Sequence, residues 1–420
     1  MDIHHGPGNQ RTIVRERPGG VRVVSDHYGH GYIAHPYRYG GRDYYRRSYY
    51  YNGRMYSRFY QPYLWGGVPL SVYAPQFYFG AAYYGWAYNP WVTPIAFGWG
   101  WAGNPWYGYY GAWYTPYPAY AGPAFWLTDY LVSQTLMAAY QERAAELANQ
   151  QVDGPPLTDD VKNAIAAEVK LQLARENAEA TAGGLQAAPD PAASSVARLL
   201  SDNKPHVFVV SSGLSVNSTG GACFVTEGDV LQLMGAVAPG QPASLTVMAS
   251  KGQDCSKGTA VQVEVADLQE MQNHMRETLD QGLADLQKKQ GTGGIPAAPS
   301  SALAAPQQTA YATNAPAPDP NVQTELSAQT KEAEQAEQEV LADPAMTGGP
   351  SAGGDIAGKP GVPAAAPAPT VLIKMGMSIN EVVALKGQPK TMVGDPAAKL
   401  IYIYDGLKLI FNNGKLTDMQ

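Results

Sequence analysis

Residues 86–106 read WAYNPWVTPIAFGWGWAGNPW and contain five of the eight tryptophans in this chain of 420 residues. They lie within seventy consecutive residues, Phe59–Thr128, that include all eight tryptophans and no Asp, Glu, Lys or Arg. Because a soluble globular surface needs charge, this segment is expected either to pack inside the protein or to adhere to something else. Its many prolines leave no run of about 20 residues that could form a transmembrane helix.

The centre of this segment contains a short repeat. Trp86-Ala87-Tyr88-Asn89-Pro90-Trp91 returns as Trp101-Ala102-Gly103-Asn104-Pro105-Trp106. Asn-Pro initiates turns, so each copy is predicted to hold two indoles on either side of a bend. The candidate stacking and anchoring residues are therefore Trp86, Trp91, Trp101 and Trp106.

The charge of the chain is unevenly distributed. The net charge is -7, yet residues 1–58 contain ten arginines, no lysine and four acidic residues. Arginines that alternate with tyrosines predict a basic patch of Arg38, Arg42, Arg46, Arg47, Arg54 and Arg58. Such a patch could self-associate, bind anionic envelope glycans or a membrane surface through charge and cation–π contacts, or bind nucleic acid. We favour the first two interpretations over the third.

Composition divides the chain into seven parts. They are a flexible Arg/Tyr/Gly-rich region (1–60), the uncharged aromatic region (61–126), a helical pair (127–178), a linker (179–204), a small β domain with a helix (205–289), an Ala/Pro-rich linker (290–369) and an α+β module (370–420). Pro18-Gly19-Gly20 lies between two β-prone runs in the first part and predicts a hairpin. Thr158 is predicted to cap the second helix of the pair.

The β domain is predicted from five short runs rich in β-branched residues in 205–266. These runs suggest a small SH3-like barrel, followed by an amphipathic helix from about Asp267 to Lys289. Cys223 and Cys255 lie in this domain, 32 residues apart. Two cysteines in one small module favour a disulfide and an oxidising compartment, while two buried free thiols remain the alternative.

The last fifty residues predict a helix followed by a three-stranded antiparallel meander. Ser378-Ile379-Asn380-Glu381 is a capping box for a helix that ends near Gly387. Asp405-Gly406 is a two-residue hairpin signal between the predicted strands Lys399–Tyr404 and Leu407–Phe411. A last strand, Lys415–Met419, is expected after a second turn.

Several spaced motifs in this module resemble a known family. They are Ile373-Lys374-Met375-Gly376-Met377-Ser378, Glu381-Val382, Gly387-Gln388-Pro389 and Phe411-Asn412-Asn413-Gly414-Lys415. Residues 370–420 are thereby similar to the SmpA/OmlA (BamE-like) family. Its members are small envelope domains, several of them lipoproteins of the outer-membrane β-barrel assembly machinery, and the resemblance implies a domain that acts by protein–protein contact.

Motifs of common enzymes are not recognisable in the chain. It has no P-loop, HExxH motif, nucleophile elbow or paired CxxC. Gly98, Gly100 and Gly103 match a dinucleotide motif in spacing alone, since neither a strand before them nor a helix after them is predicted. The histidines of the first 35 residues are interpreted as solvated loop residues. We therefore expect no catalytic residue, metal or cofactor.

These observations predict a multidomain α+β protein with large low-complexity regions. The expected function is that of a non-enzymatic structural or interaction protein of the cell envelope. Its aromatic region would anchor it or self-associate, and its small domains would contact envelope proteins. The alternatives are a glycan- or peptidoglycan-binding envelope protein and a nucleic-acid-binding or condensate-forming protein. Because Met1–His5 is not a secretory signal, export to the periplasm, outer membrane or cell surface would need a signal peptide upstream of the recorded start.

Overall fold

The protein is of mixed α+β class with several sheets. The computed structural model describes residues 1–5, 11–26, 30–51, 54–147, 152, 154–252, 254–342, 377–379, 382–383, 391–394, 399–404, 407–412 and 414–419. The chain forms two compact units. The terminal unit comprises Met1–Ile33, Tyr49–Met55 and Asp319–Gln420, and the central unit comprises Ala34–Ser48 and Tyr56–Pro318.

The strands of the described residues are short to medium in length. In chain order they are β1 (Asp2–His5), β2 (Arg11–Arg17), β3 (Val21–Asp26), β4 (Gly31–Tyr39), β5 (Arg42–Tyr51), β6 (Arg54–Trp65), β7 (Val68–Ala74), β8 (Phe77–Tyr78), β9 (His206–Val209), β10 (Leu214–Ser218), β11 (Gly221–Val225), β12 (Val230–Leu233), β13 (Ala243–Ala249), β14 (Ala260–Val263), β15 (Gln307–Gln308), β16 (Thr391–Gly394), β17 (Lys399–Tyr404), β18 (Leu407–Asn412) and β19 (Lys415–Met419).

Among the described residues, three helices longer than twenty residues lie in the central unit and a fourth lies in the terminal unit. In chain order the α-helices are α1 (Ala81–Tyr88), α2 (Pro105–Tyr110), α3 (Pro123–Leu147), α4 (Asp159–Glu179), α5 (Pro191–Ser194), α6 (Val196–Ser201), α7 (Val265–Lys289), α8 (Ala310–Thr313) and α9 (Val322–Ala342). Short 3₁₀ turns occupy Pro18–Gly20 and Ser300–Ala302, and a π-helical turn, Ala180–Gly184, follows α4.

The sheet of the terminal unit has the strand order β19-β18-β17-β16-β1-β2-β3. Neighbouring strands run antiparallel, except that β1 and β16 are parallel. Strands β2 and β3 form the hairpin predicted around Pro18–Gly20, which confirms that prediction. Gly19 and Gly20 adopt φ of 81° and 75°, a conformation that glycine reaches without the steric cost of a side chain.

The three-stranded antiparallel meander predicted at the end of the chain is confirmed. Strands β17, β18 and β19 have the predicted bounds to within one residue. Of the helix predicted before them, Ile379, Val382 and Val383 lie in the described residues and are helical. Asn380 and Glu381 of its capping box lie outside those residues, as does the Asp405-Gly406 turn. Val382 is fully buried in one cluster with Leu409 and Phe411 of the sheet.

Helix α9 lies within the segment predicted as an Ala/Pro-rich linker. In the terminal unit it packs on the β2–β3 hairpin, with Val322 and Leu326 in one cluster with Val23. The arginines of β2 pair with its acids, as Arg11 with Glu337, Arg15 with Glu332 and Arg17 with Glu325. The prediction missed this packing because the helix has few apolar residues, and its acidic face is matched by arginines about 300 positions earlier.

Strands β4 to β7 follow one another in chain order within their sheet. The register of β6 and β7 runs from Phe59 opposite Ala74 to Trp65 opposite Val68. Residues 1–60 were expected to be flexible, but strands β1 to β6 occupy much of their described part. Aromatic residues favour strands, which accounts for this difference in the tyrosine-rich runs of β5 and β6.

The β domain of the central unit is a six-stranded antiparallel sheet that curls into a half-barrel. Its order is β11-β10-β14-β13-β12-β9. The sequence predicted five of these strands and missed Leu214–Ser218, in which only Val216 is buried. The serines and asparagine of that strand resemble a loop in composition. Helix α7 follows β14 and buries Leu268 and Met271 in the same core as the sheet.

Helix α3 packs against both α4 and α7 in the central unit. The aromatic segment folds around these helices as β7, β8, α1, α2 and the intervening turns. Most of its tyrosines and tryptophans form one large hydrophobic cluster with apolar residues of α3, α4 and α7. The uncharged segment therefore forms a large part of the hydrophobic core of the central unit.

Candidate functional site

The four candidate anchoring tryptophans lie in or against this aromatic core. Trp91, Trp101 and Trp106 are buried, with at most 8% of their surface exposed, and Trp86 is partly buried. Trp99, which the sequence analysis did not single out, stacks on Trp101 and on another indole with centroid distances of 4.7 Å. The indoles thus face mainly one another and neighbouring tyrosine rings.

The two copies of the Asn-Pro repeat occupy opposite ends of helices. Asn89 follows the last residue of α1, whereas Asn104 precedes α2 and its neighbour Pro105 is the first helical residue. In both copies the asparagine amide donates to a carbonyl four residues earlier, at 2.7 Å and 3.4 Å. The two indoles of each copy contact one another, with centroids 6.4 Å and 5.2 Å apart.

Asp129 organises the polar groups of the aromatic core. It is the first charged residue after the uncharged segment and is fully buried. Its carboxylate accepts hydrogen bonds from the Tyr114 hydroxyl at 2.8 Å, the Tyr120 hydroxyl at 2.7 Å and the Tyr117 backbone N–H at 2.7 Å. Burial raises the pKa of Asp129, while these hydrogen bonds act in the opposite direction. Trp99 Nε1 extends the network by donating to the Tyr120 hydroxyl at 2.6 Å.

Lysines from other elements supply positive charge to the uncharged segment. Lys162 of α4 lies 4.1 Å from the centroid of the Tyr117 ring and donates to the Thr115 carbonyl at 3.1 Å. Lys251 lies 5.1 Å from the centroid of the Trp113 ring and pairs with a buried aspartate of the half-barrel. These cation–π contacts hold the aromatic segment against α4 and the β domain.

The arginines of the predicted basic patch have different surroundings. Arg38 is exposed and lies 3.7 Å from Asp43, and Arg42 donates to a backbone carbonyl. Arg46 and Arg47 are buried, and Arg47 binds Glu270 through two hydrogen bonds of 2.7 Å and 2.8 Å. Each of these cations already has a partner within the protein.

The other two arginines of the predicted basic patch are Arg54 and Arg58. Arg58 donates to the side chain of Gln76 at 3.1 Å. The Arg54 side chain lies outside the described residues. Packing within the fold therefore occupies much of the positive charge that was predicted to serve self-association or ligand binding.

Cys223 and Cys255 form a disulfide, which confirms that prediction and excludes the alternative of two free thiols. The bridge joins β11 to the loop before β14, and its Cα atoms are 5.4 Å apart. Both cysteines are buried in the core of the half-barrel. The disulfide fits an exported protein.

A buried ionic cluster connects α4 and α7. Arg276 Nη2 donates to Glu179 Oε2 at 2.6 Å, and Arg276 Nε lies 3.8 Å from Glu176 Oε1. Asp280, one turn further along α7, accepts from the Tyr73 hydroxyl at 2.7 Å. Burial raises the pKa of Glu176 and of Asp280. Burial also opposes the charge of Arg276, but the two glutamates raise its pKa overall.

His206 is held between two carboxylates. Its Nδ1 lies 3.0 Å from Glu168 Oε2 and its Nε2 lies 3.0 Å from Asp202 Oδ1. Burial would lower the pKa of His206, but the hydrogen bonds and charges of these carboxylates raise it overall. Because both ring nitrogens are engaged, the imidazole joins α4 to β9 and offers no free nitrogen to a substrate.

Within the described ranges, no group of three or more His, Cys, Asp or Glu residues could hold a metal ion. In the same part of the chain, no helix is both long enough and apolar enough to cross a membrane.

Comparisons with protein-family models, curated proteins and solved structures found no match for this chain.

Proposed function

We propose that the chain is a non-enzymatic, exported structural protein of the cell envelope that self-associates through an uncharged rim of its aromatic core. The observation that carries this proposal is the surface of the loop between α1 and α2. Val92 is fully exposed and Tyr88 is 46% exposed. Their neighbours Asn89, Pro90 and Thr93 are exposed as well, and the segment itself contributes no charge.

An uncharged apolar rim of this kind has the character of a protein interface. Interface cores are depleted in charged residues and enriched in aromatic ones, and exposed apolar patches commonly mark sites of association. The stacked tryptophans beneath the loop hold it in place, so little conformational entropy would be lost on binding. Trp91, Trp101 and Trp106 then act indirectly, by supporting the rim from within the core.

Sedimentation equilibrium of the full chain over a range of concentrations tests this proposal. We expect an oligomer that Val92→Asp dissociates, because the substitution would place a charge in the interface. Met234→Asp is the matched control, since Met234 is 62% exposed and follows β12, in a different element from the loop. A wild-type chain that is monomeric at all concentrations, or equal dissociation by both variants, would contradict self-association.

Export is supported by the disulfide and is tested by cell fractionation with peptide mapping under non-reducing conditions. We expect a peptide that links Cys223 to Cys255 in protein recovered from the envelope. Free thiols in native protein recovered from the cytosol would overturn the location. The small domains are proposed to contact other envelope proteins, the half-barrel as an SH3-like module and residues 370–420 as a BamE-like one.

Glycan binding is a second candidate, favoured by a cleft in the central unit. The cleft has a volume of about 330 Å³ and is lined by Tyr37, Tyr44 and Tyr45 together with Pro36 and Pro62. Aromatic rings pack on the apolar faces of sugars, and the Arg38–Asp43 pair, which also lines the cleft, offers polar groups to hydroxyls.

Titration of the chain with a soluble peptidoglycan digest tests this candidate. We expect saturable binding that Tyr45→Ala weakens. Tyr50→Ala, which removes an exposed tyrosine outside the cleft, should leave the binding unchanged. Absence of binding would exclude the glycan function without affecting self-association.

A further inference from the structure

A cavity of about 650 Å³ opens in the central unit beside the C-terminal half of α4. The turn after α4, the chain that leads to α5, and α6 complete its wall. Half of the lining residues are alanine or glycine, which leave the space open, and Leu171 adds an apolar side chain. Three arginines from different elements, Arg42 of β5, Arg175 of α4 and Arg198 of α6, also line the cavity.

Arg175 is the most informative of these residues, because its side chain is buried and incompletely paired. Only 9% of its surface is exposed. Its Nη1 makes one long hydrogen bond of 3.4 Å to Gln172, and its Nε has no hydrogen-bond partner among the described residues. Burial lowers the pKa of Arg175 to about 10, and the nearby Arg276 and Arg198 act in the same direction, whereas Glu179 and Glu168 oppose the shift. Several guanidiniums therefore lie close together at this cavity.

The acids of the cavity wall make their hydrogen bonds to groups other than Arg175. Glu179 Oε1 accepts from the Ser194 hydroxyl at 2.7 Å, and its Oε2 accepts from Arg276 at 2.6 Å. Asp190 is exposed at the edge of the cavity and accepts from the backbone N–H of Ala192. Burying a guanidinium whose hydrogen bonds are incomplete is costly, so an anion that enters the cavity and accepts those bonds would be stabilised.

We propose that this cavity binds a small organic phosphate monoester. Its phosphate would contact the guanidiniums of Arg42, Arg175 and Arg198, and its apolar part would lie along the alanine wall and Leu171. Three guanidiniums from three elements suit a tetrahedral dianion, whose oxygens accept hydrogen bonds from several directions. The volume is in the range of small-molecule sites. This site is separate from the rim that carries the proposed self-association.

Isothermal titration of the full chain with phenyl phosphate, at constant ionic strength, tests the proposal. We expect saturable one-to-one binding that inorganic phosphate competes for and that phenol does not. Arg42→Gln and Arg198→Gln should each weaken the binding about tenfold or more, because each removes a charged hydrogen bond worth about 1.5–3 kcal/mol. Arg175→Gln should abolish it. Arg38→Gln, an exposed arginine near Arg42 that does not line the cavity, is the matched control and should bind like the wild type.

No binding at millimolar phenyl phosphate, or equal binding by Arg42→Gln, Arg198→Gln and Arg38→Gln, would overturn the site. Tighter binding of phthalate than of phenyl phosphate would overturn the assignment to phosphate in favour of a dicarboxylate. Because Arg42 and Arg198 are exposed, their variants decide the question even if the buried Arg175→Gln variant does not fold.

Discussion

Replacing Asp129 by alanine should destabilise the central unit strongly. The substitution removes one carboxylate but leaves three buried donors, the hydroxyls of Tyr114 and Tyr120 and the backbone N–H of Tyr117, without that acceptor. An orphaned buried donor costs about 1–3 kcal/mol. The low end of that range for three donors predicts a loss of about 3 kcal/mol in the free energy of unfolding. The variant also no longer buries a carboxylate, whose desolvation is unfavourable. If the three donors cost more than this low estimate, that gain would offset part of the extra cost.

Urea unfolding followed by tryptophan fluorescence measures this loss in the relevant unit, because all eight tryptophans belong to the central unit. Asp160→Ala is the matched control. Asp160 is an exposed residue in the first turn of α4, and its loss should cost at most about 0.5 kcal/mol of helix-dipole stabilisation. Equal unfolding midpoints for Asp129→Ala and Asp160→Ala would refute the assignment of Asp129 as the centre of the polar network.

Three further results are expected. The raised pKa of His206 contributes stability that is fully present below pH 6.5 and is lost as the pH rises through the folded-state pKa. His206→Gln should therefore flatten the dependence of the unfolding free energy on pH in that window. An unchanged slope would contradict the pairing of His206 with its two carboxylates. Gly282→Ala should lower the free energy of unfolding by about 1–3 kcal/mol, because a Cβ there would lie 2.8 Å from a side chain of α3. Gly85→Ala in α1 is the control in the same urea titration. A Cβ at Gly85 meets nothing within 4 Å, so this variant should be neutral or stabilising. Removing the disulfide by Cys223→Ser with Cys255→Ser should cost about 2–4 kcal/mol, and a melting temperature equal to that of the oxidised wild type would contradict a structural role for the bridge.

The sequence predicted local structure well where a single signal was strong. Pro18-Gly19-Gly20 marked a hairpin, and Asp405-Gly406 lay between two strands that pair as expected. Cys223 and Cys255 were paired because they share one small module. Each of these predictions depends on residues that are close in the chain or that belong to one domain.

The packing of the aromatic segment was not predictable in the same way. The absence of charge indicated that the segment either packs inside the protein or adheres to something else, but it did not distinguish between these two outcomes. The outcome depends on Asp129, Lys162 and Lys251, whose contacts with the segment arise from tertiary structure. Asp129 is the first charged residue after seventy uncharged ones. That position was a signal that could have identified it as the centre of the polar network.

The cavity and the packing of α9 depend on pairing across long distances in the chain. Arg42 and Arg175 line one cavity although more than a hundred residues separate them. Arg15 and Glu332 pair across 317 positions. From sequence alone, six of the arginines in the first 60 residues were predicted to form a basic patch for self-association or ligand binding, because the acids that neutralise several arginines of this region lie in other segments.

The uncharged segment forms a packed core and is not a free adhesive region. Quenching of tryptophan fluorescence by acrylamide, with the native chain compared with the chain in urea, tests this packing. We expect emission shifted to short wavelength and weak quenching in the native chain, with a cooperative change to strong quenching on unfolding. Strong quenching in the native chain that urea leaves unchanged would show that the tryptophans are not packed.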